Sequence, residues 1–312
     1  MFLGYMKVLI LGITSNIGYR FYKLNTQFEV FGVCRKWPEN NKENIFVFND
    51  ITFDSIKETI DNVQPDIVIN CLSVADVDAC EKDPSLCEYL NYELVSKLVS
   101  LSNELKLKVI FFSSAIIYGG DDAPYQESDL AKPLNIYGKC KLKADKLIES
   151  VADSYLLFRP TAVFGVTYPF QRSNTVTFIA NKLQAKQSVS LVDDVLSNVL
   201  FLDDLIRVIS ASIYKNINGT FNIGGDETVS RYKLGKVIQK ISHSQDTSVI
   251  KCLSRDFFSL AQRPLNTALV NTKVKKKSGV KFTELKQAIN HTLSEQAIID
   301  DTLLKGNGSE RK

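Results

Sequence analysis

Tyr137 and Lys141 stand four residues apart in the stretch Asn135-Ile136-Tyr137-Gly138-Lys139-Cys140-Lys141. In a helix, positions i and i+4 lie on one face, so a phenol and an ammonium would point into the same space. A neighbouring cation favours the phenolate and is expected to draw the phenol's pKa from about 10 toward neutrality. A phenol tuned in that way exchanges a proton with an oxygen at neutral pH. Tyr-x-x-x-Lys also occurs on ordinary exposed helices, so the pair acquires meaning only from the elements around it.

One such element is the run Lys108 to Ser113, which reads as a strand and continues into Ser114-Ala115-Ile116-Ile117-Tyr118-Gly119. Ser114, at the strand's C-terminal end, is placed to face Tyr137 across a substrate. Two donors on one carbonyl oxygen stabilise the charge that builds there when a hydride arrives.

A second element is Lys7 to Leu11, a short aliphatic run typical of a buried parallel strand. It leads into Gly12-Ile13-Thr14-Ser15-Asn16-Ile17-Gly18 and a helix to about residue 25. Strand, glycine turn and helix present backbone N–H groups to an anion. Ser15 stands where a central glycine is usual, and its hydroxyl is small enough to donate to a phosphate. The next strand, Phe28 to Cys34, ends in Arg35-Lys36 where an acidic residue would bind the 2′-hydroxyl of NAD. Arg35 instead suits the 2′-phosphate of NADP, so NADPH is the expected cofactor, with NADH as the alternative.

Further strands are expected at 46–48, 66–71 and 155–158, with helices at 53–62 and 85–105. Alternating strands and helices imply an α/β fold, a Rossmann-type doubly wound parallel sheet with its site at the strands' C-terminal ends. After Arg159-Pro160 the periodicity changes. Residues 1–165 are expected to form the dinucleotide-binding domain, with 196–225 returning to it. Residues 166–195 and 226–300 are expected to form a smaller interleaved C-terminal α/β lobe that binds substrate, and 301–312 a disordered tail.

The 312 residues are 45% hydrophobic and 23% charged, an ordinary globular composition. A net charge of +3 gives no reason to expect a nucleic-acid partner. The two histidines, His243 and His291, and six cysteines without a Cys-x-x-Cys pair give no reason to expect a metal. The thiols suit a reducing cytoplasm. No run of 18 apolar residues exists and Met1 to Tyr5 is too short for a signal peptide, so neither a membrane partner nor a leader is expected.

Taken in order, Gly12 to Gly18, Asp50, Asn70-Cys71-Leu72-Ser73, Asn91, Ser113-Ser114 and Tyr137…Lys141 resemble the successive motifs of the extended short-chain dehydrogenase/reductases. Pro133-Leu134-Asn135-Ile136-Tyr137-Gly138-Lys139, Phe158-Arg159-Pro160, Leu202-Asp203-Asp204-Leu205 and Arg263-Pro264-Leu265-Asn266-Thr267 resemble the dTDP-4-dehydrorhamnose reductase branch. The resemblance runs from about residue 6 to about 295. It implies an oxidoreductase reducing the 4-keto group of a nucleotide-linked 4-keto-6-deoxyhexose, as in dTDP-rhamnose and polysaccharide biosynthesis.

On that resemblance Tyr137 donates the proton, Lys141 lowers its pKa and holds the nicotinamide ribose, and Ser114 polarises the carbonyl. Gly12, Thr14, Ser15, Asn16, Ile17 and Gly18 cradle the pyrophosphate. Asp50 and Ile51 contact the adenine, and Cys71, Leu72 and Ser73 line the cofactor. Arg172, Asn174 and Arg263 take the sugar nucleotide. A homodimer is the family-level expectation. The branch usually carries Asp-Tyr after the catalytic hydroxyl residue and a Trp after the Phe-Arg motif; Ala115-Ile116 and Ala162 stand there, which leaves the particular sugar open. Two alternatives stay open: a nucleotide-sugar epimerase holding NAD, and a non-catalytic nucleotide-binding regulatory subunit.

Overall fold

The computed structural model describes residues 5–244 and 247–308. In chain order the first elements are β1 (Lys7–Leu11), α1 (Asn16–Leu24), β2 (Glu29–Cys34), β3 (Ile45–Val47), α2 (Phe53–Val63) and β4 (Ile67–Asn70). Then come α3 (Val77–Lys82), α4 (Pro84–Glu88), α5 (Leu94–Leu105), β5 (Lys108–Phe112), α6 (Ile136–Val151), β6 (Tyr155–Pro160) and β7 (Val163–Phe164). The second half holds α7 (Thr175–Gln184), β8 (Val189–Val192), β9 (Leu196–Ser197), β10 (Leu200–Phe201), α8 (Leu202–Tyr214) and β11 (Gly219–Ile223). It closes with β12 (Val229–Ser230), α9 (Arg231–Ile241), β13 (Val249–Cys252), α10 (Thr272–Ser278) and α11 (Leu285–Gly308).

Seven strands form one parallel sheet in the order β11-β6-β5-β4-β1-β2-β3. The chain leaves β1 toward β3 and returns across it to β4. At the C-terminal ends of β1 and β4 the connections therefore part in opposite directions and leave a crevice. Side chains alternate between the faces. Val8, Ile10, Ile67, Ile69 and Ile110 pack with Phe21 of α1 and Leu205 and Ile209 of α8. Leu9, Leu11, Val68, Val109 and Phe111 pack on the other face with Ile56, Ile60, Leu94, Leu98, Ala144 and Ile148 of α2, α5 and α6. Strands covered on both faces must be aliphatic throughout, hence their unbroken runs.

A separate core joins Val176, Ile179 and Leu183 of α7, Leu234 and Ile238 of α9, Val189 and Leu191 of β8 and Ala288 and Ile289 of α11. Arg20 of α1 ties this lobe to the sheet through Asp203 (2.6 Å) and Glu295 (2.6 Å).

Two expectations need correction. The single helix over 85–105 is divided: a π turn at Tyr89–Glu93 separates α4 from α5, and α3 precedes them. The capping carboxylates of Asp76 and Asp83 start α3 and α4 separately. The tail was expected to begin at 301, but α11 carries helical backbone through Gly308, as the i→i−4 ladder continues without a Pro to stop it. Residues 309–312 lie outside the described residues.

Candidate active site

The glycine turn sits at the crevice. The Ser15 hydroxyl caps α1 by accepting from the Gly18 N–H at 3.0 Å, which accounts for a serine at this position. A Cβ on Gly18 would stand 2.9 Å from the Gly12 carbonyl oxygen, so only glycine lets α1 begin this close to β1. From the far side the Gln171 amide donates to the carbonyls of Thr14 (3.1 Å) and Ser15 (3.2 Å). These elements border a cavity of about 1090 Å³.

Gly12, Thr14, Ser15, Asn16, Ile17, Arg35, Ile51, Cys71, Leu72, Ser73 and Lys141 all line that cavity, as do Arg172, Asn174 and Arg263. Gly18 and Asp50 stand outside its lining, as does Tyr137. Ser114 borders a smaller adjoining cavity of about 170 Å³, whose walls share Ala162, Thr175, Arg231 and Arg263 with the larger one. Burial pushes the Cys71 thiol up to about 12, with the Ser15 hydroxyl opposing, so it is a neutral wall group.

α6 carries the Tyr–Lys pair. Its N-cap, Asn135, accepts from the Gly138 N–H at 2.8 Å and donates to the Gln262 carbonyl at 2.8 Å, so one side chain sets the helix start against the second lobe. Tyr137 is buried among Cys80, Cys87 and Cys140, and its phenol lies within electrostatic reach of the Ser114 hydroxyl. Lys141 is buried one turn on; its ammonium donates to the Phe112 carbonyl at 2.9 Å and lies 5.8 Å from the centroid of the Tyr137 ring. The structure thus brings Ser114, Tyr137 and Lys141 together.

The direction of tuning differs from expectation. Burial pushes the Tyr137 phenol above its ordinary value, with the Ser114 hydroxyl opposing, and Lys141 does not reverse this. Burial also lowers Lys141 to about 8, against the charge of Asp145. The spacing showed the neighbouring cation but not the dry surroundings, where desolvation outweighs the pair. The phenol is consequently held in its proton-bearing form, the one a proton donor needs.

Two ion pairs cross the mouth of the crevice from α3. Arg172 meets Asp76 at 2.9 Å, and Arg263 meets Asp78 at 2.9 Å. The Arg263 hydrogen bond holds the Asp78 carboxyl below its usual range; Asp76 is held down first by the Ala79 N–H and then by Arg172. Asn174 caps α7, accepting from the N–H groups of Val176 (3.0 Å) and Thr177 (3.1 Å) and donating to the Gly165 carbonyl at 2.7 Å.

Several site residues escaped sequence reasoning. Asn91 appeared only as part of the family motif; it is buried in the π turn, and its Oδ1 has no partner among the described residues. Such turns gather at functional sites. Arg231 lines both cavities and has no carboxylate partner among the described residues, and burial with the neighbouring Arg263 pushes its pKa down. Asp145 also lines the larger cavity. Only Asp145 had a legible signal, since it extends the Tyr137–Lys141 spacing by one more turn.

The family model described as the RmlD substrate binding domain matches residues 6–298. A dTDP-4-dehydrorhamnose reductase of Salmonella typhimurium is 27% identical over 190 residues, 61% of this chain and 60% of that protein. The matched stretch thus falls short of two thirds of that relative's length. The methionine adenosyltransferase 2 subunit beta of Bos taurus is 24% identical over 273 residues, covering 84% of this chain and 80% of that protein. In fold, the chain is similar to a dTDP-4-dehydrorhamnose reductase of Bacillus anthracis solved in complex with NADP. The TM-score is 0.83 at 17% identity, with 94% of this chain and all of that one covered. With the family model spanning the glycine turn, the Ser–Tyr–Lys set and the second lobe, this chain belongs to the RmlD substrate-binding-domain family.

Proposed function

We propose that this protein is an NADPH-dependent reductase acting on the 4-keto group of a nucleotide-linked 4-keto-6-deoxyhexose. The observation that carries this reading is the juxtaposition of the Tyr137 phenol and the Ser114 hydroxyl, with Lys141 one turn away in the cavity wall. The residues present fit NADPH. The glycine turn offers the N–H groups of a helix start to a pyrophosphate, and Arg35 and Lys36 line the cavity without a carboxylate partner among the described residues. When bound, NADPH supplies the hydride. Ser114 and Tyr137 polarise the substrate carbonyl, and Tyr137 delivers the proton from its phenol. Lys141 meets the ribose and restores the proton to the phenol. Arg172, Arg231 and Arg263 surround the place for the substrate's diphosphate.

The product belongs to deoxysugar or polysaccharide assembly in the cytoplasm, and a homodimer is the expected assembly. Among the described residues no helix is long and apolar enough to cross a membrane. Absorbance at 340 nm tests the reading, with NADPH and enzyme-generated 4-keto-6-deoxyhexose nucleotides, dTDP-linked and UDP-linked in parallel. A fall that needs protein and one sugar nucleotide supports it and names the base. Tyr137→Phe should keep NADPH binding and lose at least about two orders of magnitude in turnover; near-normal turnover removes Tyr137 from the chemistry.

A second reading, a nucleotide-binding subunit of another enzyme, draws on the wider match to the bovine subunit and on Ala115, Ile116 and Ala162 at the sugar end of the site. NADPH binding without turnover of any sugar nucleotide would favour it.

A further inference from the structure

The end of β5 and one face of α6 are matched residue for residue. The Ser114 hydroxyl lies beside the Tyr137 phenol, the Phe112 carbonyl takes the Lys141 ammonium at 2.9 Å, and the Ser113 hydroxyl lies beside Asp145. Tyr137, Lys141 and Asp145 are successive i+4 positions, all buried, and the last two share the cavity wall. Arg159 of β6 fixes the Asp145 carboxylate at 2.8 Å while keeping Glu149 at 3.0 Å and the Glu127 carbonyl at 3.2 Å. The second Asp145 oxygen has no partner of good geometry among the described residues, and neither has the buried Ser113 hydroxyl.

We infer that Asp145 is a positioning residue of this site: its fixed carboxylate, one turn below Lys141, keeps the ammonium charged and aligned in the wall that meets the cofactor. The inference rests on the cofactor reading above, because Lys141 acts there on the ribose.

The groups facing Lys141 leave this task to Asp145. Tyr137 is held protonated by burial, with Ser114 opposing. Burial also pushes up the thiols of Cys80 from α3 and Cys140 from α6, and Cys71 at the end of β4 stands at about 12. Cys87 of α4 acts on Lys141 in the same direction as Asp145 but less strongly, and β5 contributes the Phe112 carbonyl. Glu149 faces Arg159, a turn beyond. Burial raises the Asp145 carboxyl, but Arg159 and Ser113 favour its ionised form, and it is the largest influence keeping Lys141 charged. A buried ammonium at about 8 has little margin, so losing this carboxylate should carry it into the neutral range.

The test is NADPH affinity as a function of pH, read by fluorescence, in the full chain with Asp145→Asn and Asp145→Ser. Both variants leave Arg159 its Glu149 partner and an oxygen acceptor. In the wild type, affinity should weaken as pH rises through about 8, where Lys141 loses its charge. In both variants that fall should move down by about one pH unit or more. Asp145→Glu, which restores the charge, should return the fall toward the wild-type pH. A uniform loss of affinity with the fall unmoved would make Asp145 purely structural and overturn the inference. A wild type that binds no NADPH at any pH would overturn the cofactor reading and this inference with it, and so is distinguishable from a failure of Asp145 alone.

Discussion

A Cβ on Gly138 would stand 2.8 Å from the carbonyl oxygen of Ile116. The first turn of α6 thus rests directly on the 3₁₀ turn Ala115–Ile117 that follows Ser114, and this contact sets the distance from Tyr137 to Ser114. Pro133 closes the same space from behind, with its Cβ 2.9 Å from that position. Neither the backbone carbonyl nor the proline ring can swing away as a flexible side-chain tip could.

Gly138→Ala should therefore push α6 off the turn. Overpacking of this kind costs about 1–3 kcal/mol, partly offset by the ~1 kcal/mol of helix propensity that Ala adds. Turnover should fall about ten-fold or more, with a smaller loss of NADPH affinity, because Lys141 moves with α6 while the glycine turn and Arg35 belong to other elements. Thermal melting, turnover and cofactor titration on one preparation check this. Unchanged turnover would show that the close approach does not govern the Tyr137–Ser114 geometry.

Arg35 and Lys36 follow directly on β2 and line the same cavity as the glycine turn. A guanidinium without a carboxylate partner among the described residues is available to a second phosphate. Arg35→Ala should weaken NADPH by about ten-fold, the scale of one charge-assisted hydrogen bond, and leave NADH nearly unchanged. Paired titrations of the two cofactors read this directly, and an equal loss for both would remove Arg35 from 2′-phosphate recognition.

These positions show what a sequence discloses and what it withholds. β1 and β4 were legible because a strand covered on both faces must be an unbroken aliphatic run. Their place at the centre of the sheet was not, since such a run records burial and not neighbours. The Tyr137–Lys141 pair was legible because helical spacing is local. The sense of its tuning was not, because it depends on Cys80, Cys87 and Cys140, which arrive around Tyr137 from three helices. The π turn holding Asn91 was equally hidden, since its sequence reads as one amphipathic helix through residues 85–105. Arg263 could be singled out as a motif residue, whereas its partner Asp78, 185 positions earlier, could only be found in three dimensions.

Lys141 provides the last prediction, in which stability and activity move in opposite directions. Its folded pKa is lowered by burial from the ordinary 10.5 to about 8. Between those values the unfolded chain binds more protons than the folded one, so stability rises with pH across that window. Below about pH 8 both states are protonated and the folded state bears the full cost of a buried cation. Lys141→Met removes the charge and keeps most of the volume, at the expense of leaving the Phe112 carbonyl without its donor. The variant should be more stable than the wild type at pH 7 by about 1–3 kcal/mol and lose nearly all turnover. Its advantage should shrink as pH climbs from 8 toward 10.5, as the wild-type lysine sheds its proton in the fold. Urea unfolding at pH 7 and pH 9.5 measures the difference. An advantage that stays constant between the two would mean that Lys141 does not titrate in that window, and a less stable variant at pH 7 would mean that the Phe112 hydrogen bond outweighs the cost of burying the charge.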